Sequence, residues 1–354
     1  MKYYTSLAHY MDIMEHQQLK LALNVESQAA YEEWAKRARE KIGELLGLDK
    51  MIPCDMSVEL LETKQMDGYT REKRLIQVEP DVYMPFYVLI PDGIAPGERV
   101  SAVLAPHGHI SDGKEAVVGN GTYPELAKAI AQHNYDYGVQ AVKRGFIALC
   151  PDARGFGERR EKYWQGDEPE KHLSSSCVFL NSMAMPLGRN VAGMWTWDLM
   201  KLMDYAYTRN DIDTERIGCI GLSGGGLQTL WFSAMDTRVK CAVISGYFYG
   251  FREALQEEMC CNCNYIPHMW EYVDVGEVGA LIAPRPLLIE TGTQDSLNGR
   301  SMLDNVKPYV AQVRSAYDIY GKGDNLFHDI FEGPHMWHGV YSLPFIEKHL
   351  NSRG

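Results

Sequence analysis

The sequence predicts an α/β chain: a mostly parallel central sheet with helices on both faces, preceded by a helical extension at the amino end. Three observations predict it. Short, continuously apolar runs recur at 101–105, 146–150, 216–220, 241–245 and 286–290, as expected for strands buried on both faces. Between them lie segments of helical periodicity at 123–144, 190–208, 225–234 and 301–317, and such alternation builds a parallel sheet. Hydrophobic residues make up 45% and charged residues 23% of the 354, so the chain can bury a full core without a metal or disulfide staple.

Taken in order, residues 1–50 read as a helical extension. From 26 to 48, Tyr31, Trp34, Ala38, Ile42, Leu45 and Leu46 recur near i, i+3, i+4 spacing, and Gly47 is a stop. Such an amphipathic helix packs on the main body or on a second subunit, so a homo-oligomer is compatible with it. Residues 51–354 form the main domain. It begins with alternating segments at 58–66, 69–78 and 82–90, divided by Asp67-Gly68 and Glu79-Pro80, which predict antiparallel strands. The apolar strands follow, then a last strand at 326–331 and a terminal helix at 340–350. Two stretches near 155–189 and 247–279 fit neither period and are expected to wall a pocket.

Charge and cysteine usage exclude several classes. The chain carries 35 Lys and Arg against 47 Asp and Glu, a formal net charge of −12, with a pI near 5.4. That balance opposes non-specific binding to nucleic acid or anionic membrane. The amino terminus lacks the apolar core of a signal peptide, and no apolar run approaches the roughly 18 residues of a membrane span. The eight Cys are mostly scattered, with Cys150, Cys219 and Cys241 in apolar runs. Buried thiols in a reducing, cytoplasmic setting are therefore expected.

The most informative segment is Arg216-Ile-Gly-Cys-Ile-Gly221-Leu222-Ser223-Gly224-Gly225-Gly226. A short apolar strand runs into G-x-S-x-G and a helical pattern runs out of it, the setting in which a nucleophilic serine is held on a sharp turn. The glycines are steric necessities, because such a turn leaves no room for a Cβ two residues to either side. At a helix amino end, free N–H groups and the helix dipole favour developing negative charge.

A serine hydroxyl needs a base, and the base needs an orienting carboxylate. Asp295 lies in the loop leaving the 286–290 strand, where the acid is expected; Glu290 is the rival but falls within the strand. For the base, Glu332-Gly333-Pro334-His335 follows the last strand, and a histidine there can reach back over the sheet. His338 is the alternative, and its other reading is a pocket-wall residue; His328 alternates within a strand and reads as structural. The oxyanion of acyl transfer needs two donors: the backbone N–H of Gly224, and one from the loop Pro106-His107-Gly108-His109, where His109 is the choice. No metal and no cofactor are expected. His107 and His109 lack matching ligand spacing, and Cys260-Cys261-Asn262-Cys263 has no second cluster to complete a zinc site, so it reads as pocket wall. Trp270, Trp337 and His338 are candidate substrate contacts.

With these residues in place, the chain resembles the dienelactone-hydrolase-like and acetyl (xylan) esterase-like branch of the α/β-hydrolase superfamily. The resemblance runs through Leu104-Ala-Pro-His-Gly-His109, Asn134-Tyr-Asp-Tyr-Gly138, Pro151-Asp-Ala-Arg-Gly-Phe-Gly-Glu-Arg159, the Ser223 elbow, Ala280-Leu-Ile-Ala-Pro-Arg-Pro286 and Phe331-Glu-Gly-Pro-His335. It implies the α/β-hydrolase fold and a serine carboxylesterase acting through a Ser-His-Asp triad and an acyl-enzyme. The expected substrate is a small ester, acetyl or otherwise short-chain, including those of carbohydrates. Two departures stand out: Pro334 where the family has a second glycine before the histidine, and Ser296-Leu297-Asn298-Gly299 after Asp295 where a Pro-containing turn is usual. A peptidase or amidase on the same fold is the alternative, and a ligand-binding homologue without catalysis a third.

Overall fold

In the computed structural model, nine strands among the described residues form one sheet in the order β1-β2-β3-β5-β4-β6-β7-β8-β9. The described residues are 2–351 apart from Ser111, Asp167, Pro169, Glu170, His172, Leu173, Glu258 and Met259; the expected pocket walls at 155–189 and 247–279 thus lie partly outside them. Strands β1 (Val58–Gln65), β2 (Tyr69–Glu79) and β3 (Val82–Pro91) pair antiparallel, and β3 meets β5 (Ile147–Pro151) the same way. From there β4 (Val100–Leu104), β6 (Ile212–Leu222), β7 (Cys241–Ser245), β8 (Leu287–Gly292) and β9 (Leu326–Phe331) continue in parallel. The chain steps from β4 to β5 on one side and then to β6 on the other. This reversal opens a crevice above the carboxyl ends of β4 and β6.

Both faces of the parallel strands are covered, which is why their sequences lack alternation. On β7, Ala242 and Ile244 face one apolar cluster while Cys241 and Val243 face another. Helix α1 (Leu7–His16) buries none of its residues and exposes Leu7, Tyr10 and Ile13. Helix α2 (Gln28–Leu45) starts at Ser27, whose hydroxyl accepts from Ala30 N, and buries Tyr31, Trp34, Ala35, Ala38 and Ile42. A large apolar side chain such as Ile42 contributes roughly 1.5–3 kcal/mol when fully covered. Gly47, at φ +69°, ends the segment because a left-handed residue cannot extend the helix.

Two expected helices are corrected. The 123–144 segment divides into α3 (Pro124–His133) and α4 (Tyr137–Val142), because Asn134 takes the left-handed conformation at φ +51° and caps α3. The 301–317 segment has a 3-10 turn at Met302–Asn305 before α9 (Lys307–Ile319), with Pro308 in its first turn where no N–H is needed. Between them lie α5 (Cys177–Ala184), α6 (Val191–Thr208), α7 (Gly224–Met235) and α8 (Val275–Ala280), and α10 (Ser342–Asn351) follows β9.

A buried ion network not visible in the sequence ties the loop after β5 to the sheet. The Arg154 guanidinium donates to Asp198 at 2.7 Å and to Glu79 at 2.8 Å, and Arg159 donates to Asp198 at 2.7 Å. Burial alone would raise the Asp198 carboxyl, but these two guanidiniums hold it below its ordinary value.

Candidate active site

Ser223 caps α7 directly after β6, with φ +61° and ψ −122°. This is a costly conformation for a residue with a side chain, and its surroundings enforce it. A Cβ on Gly221 would lie 2.4 Å from Gly225 C, and one on Gly225 would lie 2.3 Å from Pro106 O. The turn is therefore packed on both sides, while Ser223 itself stays half-buried and open to the crevice. Its N–H donates to Ser245 O at 2.8 Å.

Asp295 leaves β8 fully buried, with 1% of its surface exposed. One carboxylate oxygen accepts from Leu297 N at 2.9 Å, and the other accepts from His335 Nδ1 at 2.7 Å. With Nδ1 so engaged, Nε2 is the nitrogen left to act on a neighbouring group. His335 and Ser223 line the same cavity of about 190 Å³, together with His109, His133, Tyr135 and Ala129. The His335 carbonyl accepts from His133 Nδ1 at 2.7 Å, which fixes its backbone.

The rival residues are placed elsewhere. Glu290 is buried and accepts from the N–H groups of His338 at 3.1 Å and Gly339 at 2.8 Å, and from Ser342 Oγ; burial raises its carboxyl above the usual range. It anchors the turn into α10. His338 donates from Nδ1 to Asp329 at 2.6 Å and stacks on Phe331 with ring centroids 4.3 Å apart. His328 contacts Thr291 Oγ1 at 3.0 Å.

The three candidate substrate contacts lie away from the cavities at Ser223. Trp337 is wholly buried, 5.1 Å from the Tyr137 ring, inside the core beneath α10. Trp270 packs on Tyr265 at 5.9 Å beside the strip where Lys20 and Leu21 donate to Glu271 and Tyr272. His338, Trp270 and Trp337 line neither cavity that Ser223 faces.

A second cavity, about 260 Å³, meets the first at Ser223 and His109 and is lined by Gly224, Tyr247, Tyr249, Asn264 and Cys261. A larger surface cleft of about 420 Å³ near Arg154 and Arg160 contains none of these residues. Gly224 holds the first helical position, where an N–H has no acceptor within the helix. A Cβ there would lie 2.6 Å from His109 Nδ1, so the two loops touch beside the nucleophile.

Three side chains with no sequence signal of that role fix the His107–His109 loop. Tyr135 hydroxyl accepts from Gly108 N at 2.8 Å, Tyr137 hydroxyl donates to Pro106 O at 2.5 Å, and Gln228 donates to His107 O at 2.7 Å. His107 itself is a buried, neutral spacer. Its Nδ1 donates to Gly108 O and its Nε2 accepts from Ala153 N, and burial pulls its pKa down to about 4.

Cys261 and Cys263 gather two further side chains from distant parts of the chain. Cys177, at the first turn of α5, lies 3.4 Å from Cys261 (Sγ to Sγ), and His109 Nε2 lies 3.0 Å from Cys263 Sγ. One ligand atom from each of these four residues falls within 4.8 Å of every other. Cys177 and His109 lie too far from Cys261 and Cys263 in sequence for spacing to reveal this grouping.

A family model described as Abhydrolase family matches residues 4–329. A Bacillus subtilis (strain 168) protein named as a hydrolase, YtaP, is 27% identical over 296 residues, covering 80% of this chain and 89% of that protein. A crystal structure from Bacteroides fragilis NCTC 9343 named as an acetyl xylan esterase superposes with a TM-score of 0.78 at 21% identity, over 93% of this chain and 83% of that one. A glucuronoyl esterase from Solibacter usitatus gives a TM-score of 0.65 at 16% identity, over 94% and 96%.

Proposed function

The chain belongs to the Abhydrolase family, and from that membership we propose that it is a serine carboxylesterase acting on small esters of carbohydrates. The observation that carries the reading is the 2.7 Å contact of buried Asp295 with a histidine that shares Ser223's cavity. Ser223 Oγ attacks the acyl carbon as His335 Nε2 takes its proton. Asp295 holds the imidazolium in place by charge and hydrogen bond. The N–H groups of Gly224 and His109 receive the oxyanion. His335 then returns the proton to the leaving alkoxide, and water repeats the sequence on the acyl-enzyme.

The two cavities divide the substrate. Since His335 must protonate the leaving group, the alkoxide half belongs in the cavity of about 190 Å³ that His335 lines. The acyl half belongs in the other, of about 260 Å³, beside Gly224 and His109. An acetyl group leaves most of that space empty. This favours, as a second reading, an acyl half that is itself a sugar acid, the bond named in the glucuronoyl esterases that share the fold. Tyr247, whose hydroxyl donates to Asn264 at 2.6 Å, places one polar pair in a cavity wall that is otherwise mostly apolar.

The test is a panel of p-nitrophenyl acyl esters, acetylated oligosaccharides, glucuronate esters and aminoacyl anilides with wild type and Ser223→Ala. Ester turnover that falls about 10⁴-fold or more in the variant supports the mechanism. An unchanged rate in Ser223→Ala removes it, and preference for anilides moves the assignment to an amidase.

A further inference from the structure

We propose that this chain binds one zinc ion through His109, Cys177, Cys261 and Cys263, in the wall of the acyl-side cavity. The ligands come from three separate places: the loop after β4, the first turn of α5, and the 3-10 turn at Asn262–Asn264 with the residue before it. Nothing local in the fold requires them to meet. Yet His109 Nε2 is 3.0 Å from Cys263 Sγ, Cys261 and Cys177 are 3.4 Å apart at sulfur, and all four atoms lie within 4.8 Å of one another. A tetrahedral zinc ion, with Zn–S about 2.3 Å and Zn–N about 2.0–2.1 Å, has edges of roughly 3.5–3.8 Å. The 3.0 and 3.4 Å contacts open to that size by a few tenths of an ångström, and any pair near the 4.8 Å bound closes by about 1 Å.

Chemistry selects the ion. Three thiols and one imidazole form a soft, closed set of the kind that holds structural zinc, whereas magnesium and calcium require oxygen ligands. On binding, the thiols give up their protons to solvent, and three thiolates with Zn²⁺ leave one net negative charge. His109 is exposed and also lines the cavity, so the ion has an entry path. The neighbouring Cys260 marks the specificity of the arrangement: its Sγ turns away to Ala254 O at 3.2 Å. A run of cysteines filling core space gives no reason for three sulfurs to converge on an imidazole nitrogen facing a cavity.

With all four positions taken by protein, the ion does no chemistry on substrate. It ties α5 and the 260–264 segment to the loop that carries His109. That makes it a positioning element for the acyl-side wall; this role rests on the esterase reading, while metal binding itself does not.

The experiment measures zinc in the full chain, purified under reducing conditions, by elemental analysis and native mass spectrometry. Apo-protein is then titrated with Zn²⁺ against a chromophoric chelator. The expected result is one zinc per chain in wild type, Cys260→Ser and Ser223→Ala, and at least a tenfold loss in Cys261→Ser and Cys263→Ser, with circular dichroism verifying their fold. Cobalt substitution should give the thiolate charge-transfer and tetrahedral bands of a sulfur-rich site. A folded wild type that takes up no zinc overturns the proposal, as does zinc retained in both cysteine variants or a Cys177–Cys261 disulfide in the native chain. Loss of ester turnover in Ser223→Ala with zinc intact separates this inference from the catalytic one.

Discussion

Two histidines sit three residues apart after the last strand, and each has its own buried carboxylate: His335 with Asp295 and His338 with Asp329. Only His335 shares a cavity with Ser223. We therefore expect His335→Gln and Asp295→Asn to lose about 10³–10⁴-fold in kcat, the second because the imidazole loses its orienting partner. His338→Gln should keep kcat within a few-fold and lower stability instead, by about 1–3 kcal/mol for the orphaned Asp329; steady-state kinetics and urea melts on the three variants check this. Trp337 calls for a different experiment. Its indole nitrogen is buried without a partner, so Trp337→Phe should leave KM unchanged and cost little stability. A several-fold rise in KM would return it to the substrate wall.

At the scale of elements, the start of the loop after β5 is held by charge as well as by apolar packing, Phe156 lying in the core against Trp195. Arg154 joins Glu79 at the end of β2 to Asp198 on α6. Removing the guanidinium takes one of two cationic partners from each of two buried carboxylates, Arg159 remaining for Asp198 and Arg189 for Glu79, so Arg154→Ala should destabilise the fold by about 1–3 kcal/mol, read by denaturant melts. A loss below about 1 kcal/mol would mean that water or Arg159 and Arg189 take over its role. The elements also explain what was legible in the sequence. The nucleophile elbow was readable because it is local, a strand, one turn and a helix within about twenty residues. Asp295 and His335 were readable because strand-end loops announce themselves by composition. The break at Asn134 was not, because α3 and α4 keep one apolar period across it. Likewise His109 and Cys177 could not be joined to Cys261 and Cys263, nor Glu79 to Arg154, since only the sheet order brings them together.

For the molecule as a whole, stability should depend on pH through buried neutral histidines. Burial lowers His107 from 6.5 to about 4, and His328 likewise. A depressed histidine pKa means that the unfolded chain binds the proton more readily. The stabilisation is therefore complete above about pH 6.5 and is lost as pH falls toward 4. For His107 this amounts to about 2 kcal/mol between pH 7 and pH 5. Urea midpoints at the two pH values should differ less in His107→Gln than in wild type; equal differences would assign the effect to other groups. Ser223 is raised on its turn between two cavities. Its role as the nucleophile is tested by treating the folded chain with an active-site-directed fluorophosphonate and locating the adduct by peptide mass spectrometry. A nucleophilic Ser223 gives a single adduct there, lost on prior unfolding and greatly slowed in His335→Gln. An intact, ester-hydrolysing protein that carries no adduct, or carries it on another residue, would contradict it.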